Sequence, residues 1–231
     1  NLLTYTKSIS DIEFNNCISH TRWATHGCIT TINCHPHISN NRKISLVHNG
    51  IIENYLEIKQ FLQKKKFTFY SETDSEVIVN LIEYCMSDNG NEDDNGNEDN
   101  EIIKAITKAM SICIGTWGLV IQYLNIPHKL YAIKKGSPLL LGKNDNISII
   151  TSESSGFNNL INNYHELSTD IIYIIDNIDN KSIKTCKHDL ISIEYNLKNV
   201  INLEYSLGDF KHYTLKEIYD QKNIIKKITN N

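Results

Sequence analysis

The spacing of apolar residues along this chain changes near residue 115, from helical to strand-like. Before that point, apolar positions three and four residues apart predict three amphipathic helices, over residues 51–66, from residue 73 into the eighties, and from about 101 to 112. The first helix carries Ile51, Tyr55, Ile58 and Leu62 at this spacing. We therefore expect a helical layer in the first half of the chain.

Short β-rich runs dominate the second half. One run, KISLVH at 43–48, comes early, and the others are separated by Gly, Pro, Asn and Asp: WGLVIQYL, KLYAIKK, PLLLG, ISIITS, IIYIID and LISIEY. The HNG triplet at 48–50 is typical of a turn. We also expect a short helix at 155–163 and a helix near the end of the chain. This order predicts an α+β fold with mainly antiparallel sheet.

The segment SDNGNEDDNGNEDN, residues 87–100, contains no apolar side chain. It cannot bury enough apolar area to offset the entropy lost on ordering. We expect a solvated acidic loop between the second and third helices.

Composition and charge narrow the class of protein. The 231 residues are 40% hydrophobic, enough for one large domain or two small ones. The net charge of -4 argues against nucleic acid as a partner, and no apolar run approaches the roughly 18 residues of a membrane helix. The 6 cysteines form no C-x-x-C pair, which is typical of reduced thiols in a cytoplasmic protein.

The stretch HTRWATHG, residues 20–27, concentrates groups that can bind an anion. The planar guanidinium of Arg22 matches a carboxylate with two parallel hydrogen bonds. Thr25 and His26 add a hydroxyl and an imidazole within a few residues. This set could hold the carboxylate of an amino acid. The alternative is an arginine in a surface ion pair beside a core tryptophan.

His48, Asn49 and Gly50 follow the predicted strand KISLV. An Asn side-chain amide and a Gly backbone N–H at a strand end can point at one oxygen, as in an oxyanion hole. The alternative is an ordinary turn, for which Asn-Gly is a common choice.

The segment SETDSE, residues 71–76, predicts both a helix start and a binding group. Thr73 and Glu76 have the spacing of a capping box, in which Glu76 reaches back to a backbone N–H. Asp74 could receive an ammonium group, or it could serve the helix alone, because a carboxylate in the first turn is favoured by the helix dipole.

A group of cysteines and histidines lies close together in the sequence: Cys28, Cys34, His35 and His37, with His26 and His48 nearby. It could hold zinc or supply a Cys-His nucleophile pair. However, the spacing fits no standard zinc finger. We expect no metal here and no other cofactor.

Seven segments, taken together and in this order, resemble one known family: HTRWATHG at 20–27, NCHPH at 33–37, VHNGIIENY at 47–55, SETDSEVI at 71–78, GTWGLVI at 115–121, KKGSPLLLG at 134–142 and HYTLKEIYDQ at 212–221. They closely resemble the glutaminase domain of the glutamine–fructose-6-phosphate aminotransferases, which are class II glutamine amidotransferases. The similarity runs from about residue 16 to about residue 222. A phosphoribosyl amidotransferase of purine synthesis would typically read HTRYST at the first motif.

The resemblance implies a fold and a reaction. The fold would be the N-terminal-nucleophile hydrolase type, a four-layer αββα sandwich of antiparallel sheets. An N-terminal cysteine would attack the side-chain amide of glutamine, and its own α-amine, with a pKa of about 7.7–8.0, would act as base. The ammonia would pass to a sugar-phosphate isomerase domain and yield glucosamine 6-phosphate.

The resemblance also implies how glutamine is held. Arg22, Thr25 and His26 would bind the α-carboxylate, and Asp74 would bind the α-ammonium. These positions agree with the carboxylate site inferred from HTRWATHG alone.

Four further positions match the family's site. The resemblance places Asn49 and Gly50 in the oxyanion hole, Trp23 at the mouth of the ammonia channel and His35 in the wall of the site. The oxyanion assignment again agrees with the interpretation of the residues themselves.

The chain departs from the family pattern at its beginning, because it opens at Asn1 without the expected cysteine. We expect the first strands of one sheet to be missing. Cys17 could replace the nucleophile only if cleavage gave it a free α-amine. On this interpretation the chain alone binds glutamine poorly and does not hydrolyse it.

The resemblance predicts the domain limits and the partners. Residues 1–222 would form a partial glutaminase domain with the acidic insert at 87–100, and 223–231 would begin a linker toward a sugar-isomerase domain outside this chain. The family's usual proline after KEIYDQ is Lys222 here. We expect a cytoplasmic homo-oligomer assembled through that absent domain, with glutamine as substrate and neither nucleic acid nor membrane as partner.

Two other functions stay open. One is a non-catalytic module that binds glutamine or only a partner domain. The other is a phosphoribosyl amidotransferase, against which WATHG and the KEIYDQ arm argue.

Overall fold

The computed structural model of the chain describes residues 16–22, 27–88, 98–178, 183–186, 190–192, 198–199 and 208–229. These residues belong to two compact units, one within 1–200 and the other within 201–231. The first unit contains all the strands and the first three helices. The described part of the second unit is the helix near the end of the chain and the short segment before it.

The described residues form helices, strands and two short 3-10 turns. The helices are α1 Tyr55–Lys64, α2 Asp74–Asp88, α3 Glu98–Ile112 and α4 Tyr213–Thr229. The strands are β1 His37–Ile38, β2 Ile44–Ile52, β3 Gly115–Tyr123, β4 Lys129–Lys135, β5 Leu140–Lys143, β6 Ser148–Thr151, β7 Asn163–Glu166, β8 Ile172–Asp176, β9 Ile183–Cys186, β10 Leu190–Ser192 and β11 Lys198–Asn199. The 3-10 turns are Thr31–Asn33 and Ser154–Phe157. Within the described ranges, no helix is long and apolar enough to cross a membrane.

The strands make two antiparallel sheets. The larger has the order β1-β2-β3-β4-β8-β9-β10, and the smaller has the order β11-β7-β5-β6. Strands β2, β3 and β4 lie beside one another in chain order. A short connection joins β3 to β4, whereas helices α1, α2 and α3 lie between β2 and β3 in the sequence. The predicted α+β fold with antiparallel sheet is confirmed.

Alternating apolar residues on β2 and β3 divide the core into two layers. Leu46 and Leu119 pack toward helices α1, α2 and α3, whereas Val47 and Val120 pack toward the smaller sheet. The alternation follows from the two-residue period of a strand, which sends successive side chains to opposite faces. The outer face of the smaller sheet packs against Phe157 of the second 3-10 turn. Within the first unit, helices, large sheet and small sheet therefore stack in the predicted sandwich order.

The predicted turn at 48–50 is wrong, because β2 continues to Ile52. Asn49 pairs with Gly118 and Gly50 with Trp117 in the β2–β3 ladder. Gly50 has φ +148, and a Cβ placed there would lie 2.2 Å from the carbonyl oxygen of Thr116. The glycine thus permits a close approach of two strands instead of a reversal of the chain.

The helix boundaries also differ from the predicted ones. Helix α1 begins at Tyr55, because Ile51 and Ile52 complete β2. Asn54 fixes this junction, since its amide donates to the carbonyl of Ile112 at 3.0 Å and its oxygen accepts the N–H of Ile114 at 2.9 Å.

The acidic segment is partly helical. Residues 87–88 end α2 and residues 98–100 begin α3, so the predicted loop is too long, and 89–97 lie outside the described residues. Glu98, Asp99 and Glu101 occupy the first turn of α3, where the helix dipole favours carboxylates. Asp99 also accepts the hydroxyl proton of Tyr131 at 2.6 Å. These contacts order the end of the segment.

Candidate active site

The start of helix α2 is fixed by its own side chains. Thr73 Oγ1 accepts the N–H of Glu76 at 3.3 Å, as the capping box predicts. The Glu76 carboxylate, however, accepts the N–H groups of Tyr70 and Ser71, at 2.9 and 2.7 Å, and not that of Thr73. Glu76 therefore binds N–H groups that lie two and three residues before Thr73, and these hydrogen bonds fix the segment before α2.

Asp74 is the first residue of α2 and is 3% exposed. Its Oδ2 accepts the backbone N–H of Ile52 at 2.9 Å and lies 3.9 Å from His48 Nδ1. The carboxylate therefore joins the end of β2 to the start of α2. The helix-dipole interpretation and the binding interpretation of Asp74 are compatible, because the same residue also lines a cavity.

This cavity, of about 240 Å³, brings together residues that are far apart in the sequence. Its lining includes Arg22 from the first motif, Asn49 and Gly50 from β2, and Asp74 from α2. The complete lining is His20, Arg22, His35, His48, Asn49, Gly50, Ile51, Thr73, Asp74, Ser75 and Thr116. Five separate parts of the sequence thus meet at one concave surface, as expected of a binding site for a small molecule.

Arg22 is half-buried and has a φ of +51. Its Nη1 donates to the carbonyl of Cys28 at 2.9 Å, and its Nη2 donates to the carbonyl of Gly27 at 3.2 Å. A guanidinium has five N–H donors in a planar arrangement, and two of them bind these carbonyls. Arg22 therefore holds its own loop in addition to the carboxylate role predicted for it.

Glu72 fastens that loop to the segment before α2. Its Oε2 accepts the N–H of Cys28 at 3.1 Å and the side-chain amide of Asn33 at 3.2 Å, while its own N–H donates to Asn33 Oδ1 at 2.9 Å. The N–H of Cys28 is the main cause that lowers the pKa of the Glu72 carboxyl. The spacing of residues in the sequence carries no signal for these contacts.

A serine hydroxyl lies between two histidines in the lining of the cavity. Ser75 Oγ is 3.1 Å from His35 Nε2 and 3.0 Å from His48 Nδ1. In the same way, Thr73 Oγ1 is 3.1 Å from His37 Nε2. Sequence reasoning assigned His35 to the wall of the site, and His35 lines this cavity. It did not identify Ser75.

Burial makes this group of histidines hard to protonate. Loss of solvent, together with the neighbouring His20, lowers the pKa of His35 to about 3. Burial also lowers the pKa values of His20 and His37. The rings of His20 and His35 lie 4.4 Å apart between centroids. Neutral imidazoles can pack this closely without charge repulsion.

The zinc hypothesis receives no support from the described ranges, where no three or more His, Cys, Asp or Glu side chains are placed to hold a metal ion. Cys28 and Cys34 are exposed, and neither lines the cavity. Cys17 lines a different cavity of about 460 Å³, which includes Val47 and Ile150 from the facing sheets. These thiols are therefore not positioned beside Asn49.

Three of the expected site residues cannot be placed. Trp23, Thr25 and His26 lie outside the described residues, so their roles stay predictions. Asn49 is half-buried at the cavity, and its side-chain amide makes no hydrogen bond to the part of the chain that the structure describes. Its N–H donors are consequently available to a ligand oxygen.

Relatives of known sequence point to one family. Residues 20–157 match the model of the glutamine amidotransferase domain. A probable glutamine–fructose-6-phosphate aminotransferase of Acanthamoeba polyphaga mimivirus is 38% identical over 216 residues, covering 91% of this chain and 32% of the relative. The enzyme of that name from Buchnera aphidicola is 35% identical over 235 residues, covering 100% and 35%. The chain spans about a third of the length of these relatives.

Solved structures give the same fold. Glutamine phosphoribosylpyrophosphate amidotransferase from B. subtilis, in complex with ADP and GMP, superposes with a TM-score of 0.55 at 22% identity, over 77% of this chain and 35% of that one. An allosteric regulatory enzyme of purine biosynthesis gives a TM-score of 0.51 at 21% identity, over 71% and 32%. At these identities the likeness shows the fold alone. With the family model matching more than half of its length, this chain belongs to the glutamine amidotransferase domain family.

Proposed function

We propose that this chain is the glutamine-binding part of an enzyme that moves the amide nitrogen of glutamine to fructose 6-phosphate. The observation that carries the proposal is the cavity where Arg22, Asn49, Gly50 and Asp74 meet. It offers a cation, a carboxylate and amide donors, the groups needed to bind the two charged ends and the reacting oxygen of an amino-acid amide. The names of the relatives at 38% and 35% identity support fructose 6-phosphate as the acceptor.

The charged ends of glutamine would be held by opposite charges. The guanidinium of Arg22 would take the α-carboxylate, with two N–H groups directed at its two oxygens. Asp74 would take the α-ammonium, because its carboxylate is buried and lines the cavity. A charged pair in a site closed to water contributes more than the same pair on a surface.

The side-chain carbonyl of glutamine would then lie near Asn49 and Gly50. When a thiolate attacks the amide carbon, the carbonyl oxygen gains negative charge. The amide of Asn49 and the main-chain N–H of Gly50 would stabilise it, as in other oxyanion holes. The resemblance assigns the attack to an N-terminal cysteine whose α-amine accepts the thiol proton and later passes it to the departing ammonia.

A non-catalytic glutamine-binding module is the second candidate, because no cysteine lines the cavity in the described part of the chain. The two candidates differ in turnover. The test measures glutamate release and glucosamine 6-phosphate formation from glutamine and fructose 6-phosphate, using the full-length protein encoded by the gene. Formation of both products supports the aminotransferase. Saturable binding of glutamine without glutamate release would support the module, and no binding at all would contradict both.

A further inference from the structure

Ser75 occupies the second position of helix α2 and is 3% exposed. Its hydroxyl oxygen lies within hydrogen-bond distance of His35 Nε2, at 3.1 Å, and of His48 Nδ1, at 3.0 Å. His48, on β2, is also 3% exposed. One hydroxyl thus joins the loop before β1, helix α2 and strand β2 at a place where water has little access.

The Ser75 hydroxyl has a single proton, and this limits which tautomers His35 and His48 can adopt. A serine hydroxyl has one proton to donate and two lone pairs that accept. If both ring nitrogens presented lone pairs to Ser75, only one of them could be satisfied. At least one imidazole must therefore direct an N–H toward the oxygen, so the hydroxyl couples the tautomers of His35 and His48.

The carboxylate of Asp74 selects which imidazole donates. Its Oδ2 lies 3.9 Å from His48 Nδ1, and its Oδ1 lies 3.5 Å from Ser75 Oγ. Negative charge at that distance favours a proton on Nδ1 of His48 over a lone pair. His48 then donates to Ser75, and the hydroxyl proton remains for a neighbouring acceptor.

We propose that Ser75 is a positioning residue for the oxyanion hole, an inference that rests on the function proposed above. Its hydroxyl holds His48 in the Nδ1–H tautomer, and His48 is covalently joined to Asn49. Ser75 is likewise joined to Asp74. The hydrogen bond between Ser75 and His48 therefore fixes the strand that carries the oxyanion donors against the helix that carries the ammonium acceptor.

The experiment compares Ser75→Ala with Ser75→Thr, which retains the hydroxyl. Nitrogen-15 spectra of histidine-labelled chain give the tautomer of His48, with a His48→Gln variant for assignment. Wild type and Ser75→Thr should show a protonated Nδ1 at His48, and Ser75→Ala should show a mixture of tautomers.

Glutamine hydrolysis by the full-length protein gives the second measurement. Loss of one buried hydrogen bond should lower the kcat of Ser75→Ala about tenfold, while its KM stays within about twofold and Ser75→Thr stays within about threefold of wild type. A purely structural role would lower thermal stability and leave kcat per folded molecule unchanged, which would overturn the proposal.

The spectra also decide the question by themselves. An unprotonated Nδ1 at His48 in the wild type, or the same tautomer in wild type and Ser75→Ala, would overturn the role of Ser75. If Ser75→Ala does not fold, Ser75→Cys, whose thiol is a weaker hydrogen-bond donor and acceptor, replaces it in both measurements. Absence of glutamine hydrolysis in the wild type would contradict the proposed function, whereas the tautomer result would still test Ser75.

Discussion

Replacing Asn49 with alanine separates catalysis from stability in this site. Asn49 lies on β2, where its backbone pairs with Gly118 of β3, and alanine leaves that pairing intact. The side chain is half-buried and makes no hydrogen bond within the described ranges, so its removal breaks no hydrogen bond there. We expect a change of at most about 1 kcal/mol in the free energy of unfolding.

The expected effect on catalysis is much larger. Removal of one oxyanion donor costs about 10²- to 10³-fold in kcat, or about 2.7–4 kcal/mol. The KM for glutamine should change little, because the ground-state carbonyl gains less from this donor than the oxyanion does. Glutamate release over a range of glutamine concentrations, measured with the full-length protein, gives both constants, and thermal unfolding of the same samples gives the stability.

Asn163→Ala is the matched control. Asn163 is also a strand asparagine, on β7, but it is exposed and does not line this cavity. Its replacement should leave both kinetic constants at their wild-type values. A rise in KM with an unchanged kcat for Asn49→Ala would refute the oxyanion assignment, and so would a kcat within about threefold of wild type.

Three further predictions concern charge. Arg22→Lys keeps the charge but loses the planar guanidinium, so the KM for glutamine should rise about tenfold or more. The control Arg42→Lys, at an exposed residue that also has a positive φ, should leave this KM unchanged. Equal effects of the two substitutions would contradict the carboxylate role of Arg22. Asp74→Asn should also raise this KM about tenfold or more, and the exposed Asp170→Asn should not; an unchanged KM in Asp74→Asn would remove the ammonium role. Burial lowers the pKa of His35 to about 3, whereas the pKa of histidine in an unfolded chain is roughly 6.5. As the pH falls, the unfolded state therefore binds the proton first. The contribution of neutral His35 to stability is complete above about pH 6.5 and is lost as the pH falls toward 3. The urea midpoint should therefore fall more steeply from pH 7 to pH 4 in wild type than in His35→Gln, and parallel curves would show that His35 does not contribute.

Local patterns explain which parts of the fold could be predicted. Strands β3 and β4 are long apolar runs bounded by turn residues, and the predicted limits lie close to the observed ones. Strands β1 and β11 contain two residues each, too few for any periodicity. Strand β7, with the sequence NYHE, has a polar composition that hides its position in the smaller sheet. These strands exist because neighbouring strands pair with them, and a neighbour of this kind cannot be inferred from local spacing.

In the candidate site, too, some residues could be predicted from the local sequence and others could not. Arg22, Asn49 and Asp74 could be selected from the sequence because each lies in a short motif with other polar groups that can bind a ligand. The structure brings the three residues to one cavity. Glu72 and Ser75 were missed, although they lie in the same hexapeptide as Asp74. Their partners are 27 to 44 positions away, so only the folded chain brings them into contact.

The two sides of the cavity tolerate amino-acid substitution to different degrees. Asn49 and Gly50 are part of a strand inside a seven-stranded sheet, and a side chain at position 50 would collide with the facing backbone. Arg22 sits on a loop that a few hydrogen bonds to carbonyls and to Glu72 keep in place. Substitutions beside Arg22 therefore meet only a few hydrogen bonds, whereas the facing backbone restricts position 50 to glycine.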